Sequence, residues 1–323
     1  MIQHRFTPHP LILGGHAQTI GGTYLWSAPP YKAVTHIVEL QDGDKIVLHD
    51  DCPKNWTGLG KVAVLVHGLA GCHGSGYMRR IAHKLTAAGH RCFRMDQRGC
   101  GAGVDLAAGS TNGARIGDVA AALSYVRTTC PQSEITAVGF SLGGAMTLRL
   151  AGEMRDAFPA DRLMAIAPPI DFWKCSDSME RGLNRGYSRY FAKLLVRRVN
   201  DNSALRQQLR ADVLKSPPKT LAEFDHRVTA PLGGFSSVDE YYAAASPVKV
   251  LSSVRAPTLI LSAADDPIVV SADIETAKAS ASVFTHITRH GGHLGFLSGR
   301  RSPGDPDWHW MDWRVVDFVA GDH

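Results

Sequence analysis

From Lys61 onward, short β-branched apolar runs alternate with longer stretches whose apolar residues recur every three or four positions. Val62–Val66 predicts a buried strand, and residues 78–88 predict a helix with Met78, Ile81, Ala82 and Leu85 on one face and Gly89 as its stop. A strand at 91–95, a helix at 112–129 with Ile116, Val119, Ala120, Leu123 and Val126 inward, and a buried strand at Ile135–Phe140 follow. Leu142–Met154, rich in Gly, Ala and Leu, predicts a helix packed closely on the sheet before a strand at 162–167. This rhythm is that of βαβ units stacked into a mainly parallel sheet flanked by helices, an α/β class of fold.

The rhythm stops between residues 168 and 246, where polar and aromatic helical stretches replace strand patterns. That segment is expected to be a helical lid over the C-terminal edge of the sheet. Alternation resumes with a strand at 258–261, a helix at 271–279, a strand at 282–288 and a final helix at 308–319. Upstream, runs at 35–40 and 45–49 flank Gln41-Asp42-Gly43-Asp44, an Asp-Gly turn that predicts an antiparallel hairpin. The expected organisation is a core of 1–167 and 247–323 interrupted by a lid of 168–246.

Gly139-Phe140-Ser141-Leu142-Gly143 matches GxSxG directly after a predicted strand and before a small-residue helix. A serine on such a bend is a candidate nucleophile, and its weakly acidic hydroxyl needs a histidine base oriented by a carboxylate. In folds with this bend the acid follows a late strand and the histidine follows the last one. Two pairs of candidates stand there: Asp265 and Asp266 after the strand at 258–261, and His290 and His293 after the strand at 282–288. His293 is favoured because Gly291 and Gly292 free the loop to turn, and Asp266 because similarity to related hydrolases implies an acid three residues beyond a small residue and just before a turn, here Ala263 and Pro267. Asp265 is then read as part of a solvated turn. The oxyanion formed on attack needs two backbone amides, which the pattern assigns to Leu142 and to Leu69 in the loop His67-Gly68-Leu69-Ala70-Gly71. His67 and Arg98 are read as loop braces rather than catalysts.

Composition narrows the remaining classes. The 323 residues are 44% hydrophobic and 20% charged, enough for one large α/β domain with an insertion. No run approaches the roughly 18 apolar residues of a membrane span, and the start lacks a basic, then apolar, leader pattern, so a soluble, unprocessed protein is expected. Six cysteines lie scattered without a CxxC pair, which suggests reduced thiols and a cytoplasmic location. The net charge of +5 is too mild to imply nucleic acid. No HExxH or suitably spaced cysteine pair predicts a metal site, no cofactor is implied, and the HxxxxD signature of one acyltransferase class is missing. Between Glu180 and Arg210, seven arginines and one lysine face only two carboxylates. Leu183, Tyr187, Tyr190, Phe191, Leu194 and Leu195 interleave with them, so the stretch is either a packed helix with a solvated basic face or a surface for acyl chains, anions or lipid.

Together these motifs resemble the YheT-like family of α/β-hydrolases, the type 4 group. The resemblance rests on Gly15-His16-Ala17-Gln18-Thr19-Ile20, His67-Gly68-Leu69, the stretch from Asp96 to Gly101, the bend at Ser141 and Gly291-Gly292-His293-Leu294-Gly295-Phe296, and it extends over nearly the whole chain. Within 168–246 it also covers Asp225, Gly234-Phe235, Glu240-Tyr241-Tyr242 and Ser246. It implies an α/β-hydrolase fold and a serine esterase acting on short- or medium-chain carboxylic esters, with Ser141, Asp266 and His293 matching the family's triad. Transfer of the acyl group to an alcohol is the alternative it leaves open. The implied partner is a small-molecule ester; chain length and oligomeric state are not legible.

Overall fold

The computed structural model describes residues 5–25, 33–299 and 305–321. Its centre is an eight-stranded sheet in the order β1-β2-β4-β3-β5-β6-β7-β8. The strands are β1 (Val34–Glu39), β2 (Lys45–Asp51), β3 (Val62–Val66), β4 (Arg91–Asp96), β5 (Ile135–Phe140), β6 (Arg162–Ile166), β7 (Thr258–Ala263) and β8 (Val283–Thr288). Only β2 runs against its neighbours; β4, β3, β5, β6, β7 and β8 are parallel. The predicted hairpin is present as β1 and β2, and no other connection in the sheet is a direct hairpin.

The central strands read as unbroken apolar runs because helices cover both faces. Val62, Val64, Val66, Ile135, Ala137, Leu163 and Ala165 point to one face. There they meet α3 (Ile116–Thr129) and α4 (Leu142–Met154). Ala63, Leu65, Val138, Phe140, Met164 and Ile166 point to the other. That face is covered by α2 (Gly76–Ala87) and the last helix, α13 (Trp310–Ala320). Between β6 and β7 the chain makes α5 (Phe172–Met179), α6 (Arg185–Asp201), α7 (Ser203–Gln208), α8 (Ala211–Lys215), α9 (Leu221–Phe224), a π-turn at Asp225–Thr229, α10 (Ala230–Leu232) and α11 (Val238–Ala245). No strand interrupts this segment. A short α12 (Ser271–Thr276) joins β7 to β8. All six cysteines are free thiols, and among the described residues no helix is long and apolar enough to cross a membrane.

Three elements differ from the periodicity, each for a local reason. Helix α3 starts at Ile116 rather than 112, because the Asn112 side chain accepts from Ala114 N at 3.0 Å and closes a turn instead. Helix α12 ends at Thr276 rather than 279, where Ser280 ties the chain to Leu251 O through its amide and to Val254 O through its hydroxyl. Helix α1 (Gly15–Tyr24) has no counterpart in the hydrophobic pattern: its buried face is made of Gly15, Gln18, Thr19, Gly21 and Gly22, which carry no apolar stripe.

The turn from β5 into α4 depends on two glycines. A Cβ on Gly139 would lie 2.5 Å from Gly143 O, and one on Gly143 would lie 2.3 Å from Val66 O, so strand and helix backbones are in direct contact. Gly139→Ala is therefore expected to lower the unfolding free energy by about 3 kcal/mol through overpacking. A urea midpoint equal to that of the unaltered protein would contradict this packing.

Candidate active site

Ser141 caps α4 at φ 49° and ψ −117°, a conformation side-chain-bearing residues seldom adopt. The bend sets its hydroxyl above the C-terminal edge of the sheet, where the loops after β3, β7 and β8 also emerge. His293 Nε2 lies 2.9 Å from Ser141 Oγ, and His293 Nδ1 lies 2.8 Å from Asp266 Oδ2. The other Asp266 oxygen accepts from the amides of Ile268 at 2.8 Å and Val269 at 3.0 Å, so the carboxylate is fixed from both ends. With 1% of its side chain exposed, Asp266 interacts with the imidazole out of contact with water.

Of the paired candidates, the structure joins only Asp266 and His293 to the serine. Asp265 and His290 form a separate pair at 3.2 Å on the outer side of the loop. Asp265 is not a free turn residue, however: its Oδ1 accepts from Gly292 N at 2.9 Å and so braces the segment that carries His293. The expectation of a merely solvated Asp265 is corrected by that contact.

Helix α1 completes the bracing. Thr19 Oγ1 accepts from His293 N at 2.8 Å while donating to Gly15 O, and Gln18 forms a two-way bridge to the Leu297 backbone. A Cβ on Gly15 would fall 1.7 Å from Asp265 O, so no larger residue lets α1 approach this closely. The Gly15 to Ile20 motif thus acts as a backbone seat for the histidine loop. His16 also stacks on Tyr187 of α6, with its Nδ1 3.0 Å from the phenol oxygen.

The loop after β3 lies against Ser141, since a Cβ built on Gly68 would come within 3.1 Å of Ser141 Cβ. The Gly68 amide donates to Tyr77 Oη at 3.0 Å. Among the described residues neither the Leu69 nor the Leu142 amide donates to a protein acceptor. His67 braces this loop as expected: it is buried, its Nδ1 faces Gly68 O at 2.8 Å, and its Nε2 accepts from Gln97 N. Arg98 binds Asp42, Asp44 and Asp118, likewise a brace.

Two features escaped the sequence. Arg198 does not join the solvated basic face of α6; it turns inward to donate to Gly71 O at 3.1 Å and to Cys100 Sγ at 3.0 Å, clamping the loop after β3. Its spacing from the exposed arginines carries no mark of this. His49, His73 and Asp96, far apart in sequence, converge with ligand-capable atoms within 4.8 Å of one another. Burial works to raise the Asp96 pKa, but hydrogen bonds from His49 and His73 outweigh it and hold the carboxyl below its ordinary range. Asp96 also accepts from the His73 and Ala102 amides, so its lone pairs are already used in tying β2, β4 and the neighbouring loops together.

Comparison with known proteins agrees with this fold. Residues 62–300 match the α/β hydrolase fold family, and the chain belongs to it. The chain is 31% identical over 299 residues to human phospholipase ABHD3, with 88% of this chain and 72% of the relative covered. It is 28% identical to the Escherichia coli putative esterase YheT over 80% of this chain and 76% of that one. Among solved structures, Est1E from Butyrivibrio proteoclasticus superposes with a TM-score of 0.58 at 16% identity, covering 88% of this chain and 98% of its own. The protein is a YheT-like α/β-hydrolase, an enzyme of the esterase and lipase class.

The buried His67 gives the site a pH signature. Burial pushes its pKa from 6.5 down to about 4, so between these values the unfolded chain takes up a proton that the folded one refuses. This group's stabilising contribution is full above pH 6.5 and is lost as pH falls towards 4, at a cost of up to about 3 kcal/mol. His67→Gln should therefore flatten the fall in unfolding free energy between pH 6.5 and 4; equal slopes in both proteins would contradict a neutral, buried His67.

Proposed function

We propose that the chain is a serine esterase in which Ser141 is the nucleophile, His293 the general base and Asp266 its orienting carboxylate. The observation that carries this is the unbroken hydrogen-bonded line from Asp266 through His293 to Ser141. Ser141 Oγ attacks the ester carbonyl carbon as its proton passes to His293 Nε2, and the imidazolium so formed is stabilised by Asp266. The carbonyl oxygen, now negative, accepts from the Leu69 and Leu142 amides. Collapse breaks the ester C–O bond, and His293 returns the proton to the departing alkoxide. Water then repeats the sequence on the acyl-Ser141 intermediate and releases the acid.

Residues 168–246 serve as the lid, and Arg198 and Tyr187 link it to the loop after β3 and to α1. The substrates are carboxylic esters, a reading supported by relatives named as a phospholipase, a putative esterase and a monoacylglycerol lipase, and the family resemblance points to short or medium acyl chains. A p-nitrophenyl ester series from acetate to decanoate tests it. A burst of p-nitrophenol is expected, with kcat lowered by at least about 10³-fold in Ser141→Ala. Asp266→Asn should lower kcat by about 10⁴-fold. Asp265→Asn should cost no more than about 10²-fold, since it only braces the loop. Full activity in Ser141→Ala would overturn the proposal, and ethyl esters outweighing free acid in dilute ethanol would favour acyl transfer over hydrolysis.

A further inference from the structure

Helices α6 to α9 and the π-turn enclose a cavity of about 390 Å³ that the triad does not touch. Most of its lining side chains are apolar, Val199, Val213, Phe224 and Val228 among them, while Asn200, Arg206 and exposed backbone add polar surface, and Leu214 lies at its exposed lip. Arg206 is the one cation in the lining, and among the described residues no carboxylate lies within ion-pair distance of it. Every lining residue falls between 196 and 228, so neither Ser141 nor His293 contributes. Leu195 and Leu205 belong to the same apolar cluster, and Leu69 and Ala70 pack against it.

We propose that this cavity is a second binding site, for one acyl chain ending in an anionic group. A volume at the small end of ligand pockets suits a single tail, and the apolar wall gains from removing that tail from water. An exposed guanidinium at the rim is the complementary group for a carboxylate, which it can grip with two parallel hydrogen bonds. An uncharged chain would leave Arg206 without a partner, and a bare anion would leave the wall uncovered. The occupant would rest on α6, the helix whose Arg198 holds Gly71 O, so the site adjoins the loop beside the nucleophile without sharing its residues.

Isothermal calorimetry with dodecanoate on the full chain carrying Ser141→Ala tests the site without turnover. Saturable binding of dodecanoate is expected, with dodecan-1-ol weaker. Arg206→Gln and Leu214→Glu, both at exposed positions, should each weaken dodecanoate by about five-fold. In the enzyme that keeps Ser141, Arg206→Gln and Leu214→Glu should leave the KM for p-nitrophenyl acetate unchanged. Absence of saturable binding, or a dodecanoate affinity that neither Arg206→Gln nor Leu214→Glu changes, would each overturn the second site. Because binding is read in a protein lacking the nucleophile, failure here leaves the esterase proposal intact, and loss of esterase activity leaves the binding result standing.

Discussion

The backbone of Ser141 is held at a positive φ, and everything else at the sheet's C-terminal edge is arranged around that fixed hydroxyl. The conformation survives because α4 meets β5 and β3 backbone to backbone, with the Gly139 side pressed on Gly143 O and the Gly143 side on Val66 O. A turn with any side chain at these positions would separate strand from helix and let the bend relax. Strain at one residue is thus offset by the close packing of the two elements on either side.

The His293 loop and the loop after β3 come from segments with little regular structure of their own, so polar networks fix them. The His293 loop is seated on α1 by Thr19 and Gln18 and braced by Asp265. The loop after β3 is held from below by His67 and Gln97 and from above by Arg198. Next to it, Asp96 gathers His49, His73 and two amides around one buried carboxylate. Such networks cost free energy if any member is left unpaired, which makes them stiff when complete. Stiffness is what a site needs if its amides are to meet a developing charge without reorganising.

The sheet was legible in the chain because buried parallel strands write continuous apolar runs, as in Val62–Val66 and Ile135–Phe140, and because GxSxG gains meaning from the strand before it and the helix after it. Helix α1 was hidden, since its contacts are made by glycines, a glutamine and a threonine rather than by an apolar stripe. The choice between Asp265 and Asp266 rests on which carboxylate points inward, and neighbouring residues in a turn give no periodic sign of that. Arg198 looks in sequence like every other arginine of α6. Its inward turn depends on Gly71 and Cys100, which lie about a hundred residues away.

The most direct measurement is the mass of the enzyme quenched in acid within its first turnover of p-nitrophenyl acetate. The account predicts one added acetyl group, located by peptide mapping on the fragment that contains Ser141. An unmodified enzyme that still releases p-nitrophenol, or an acetyl group on a different residue, would contradict it.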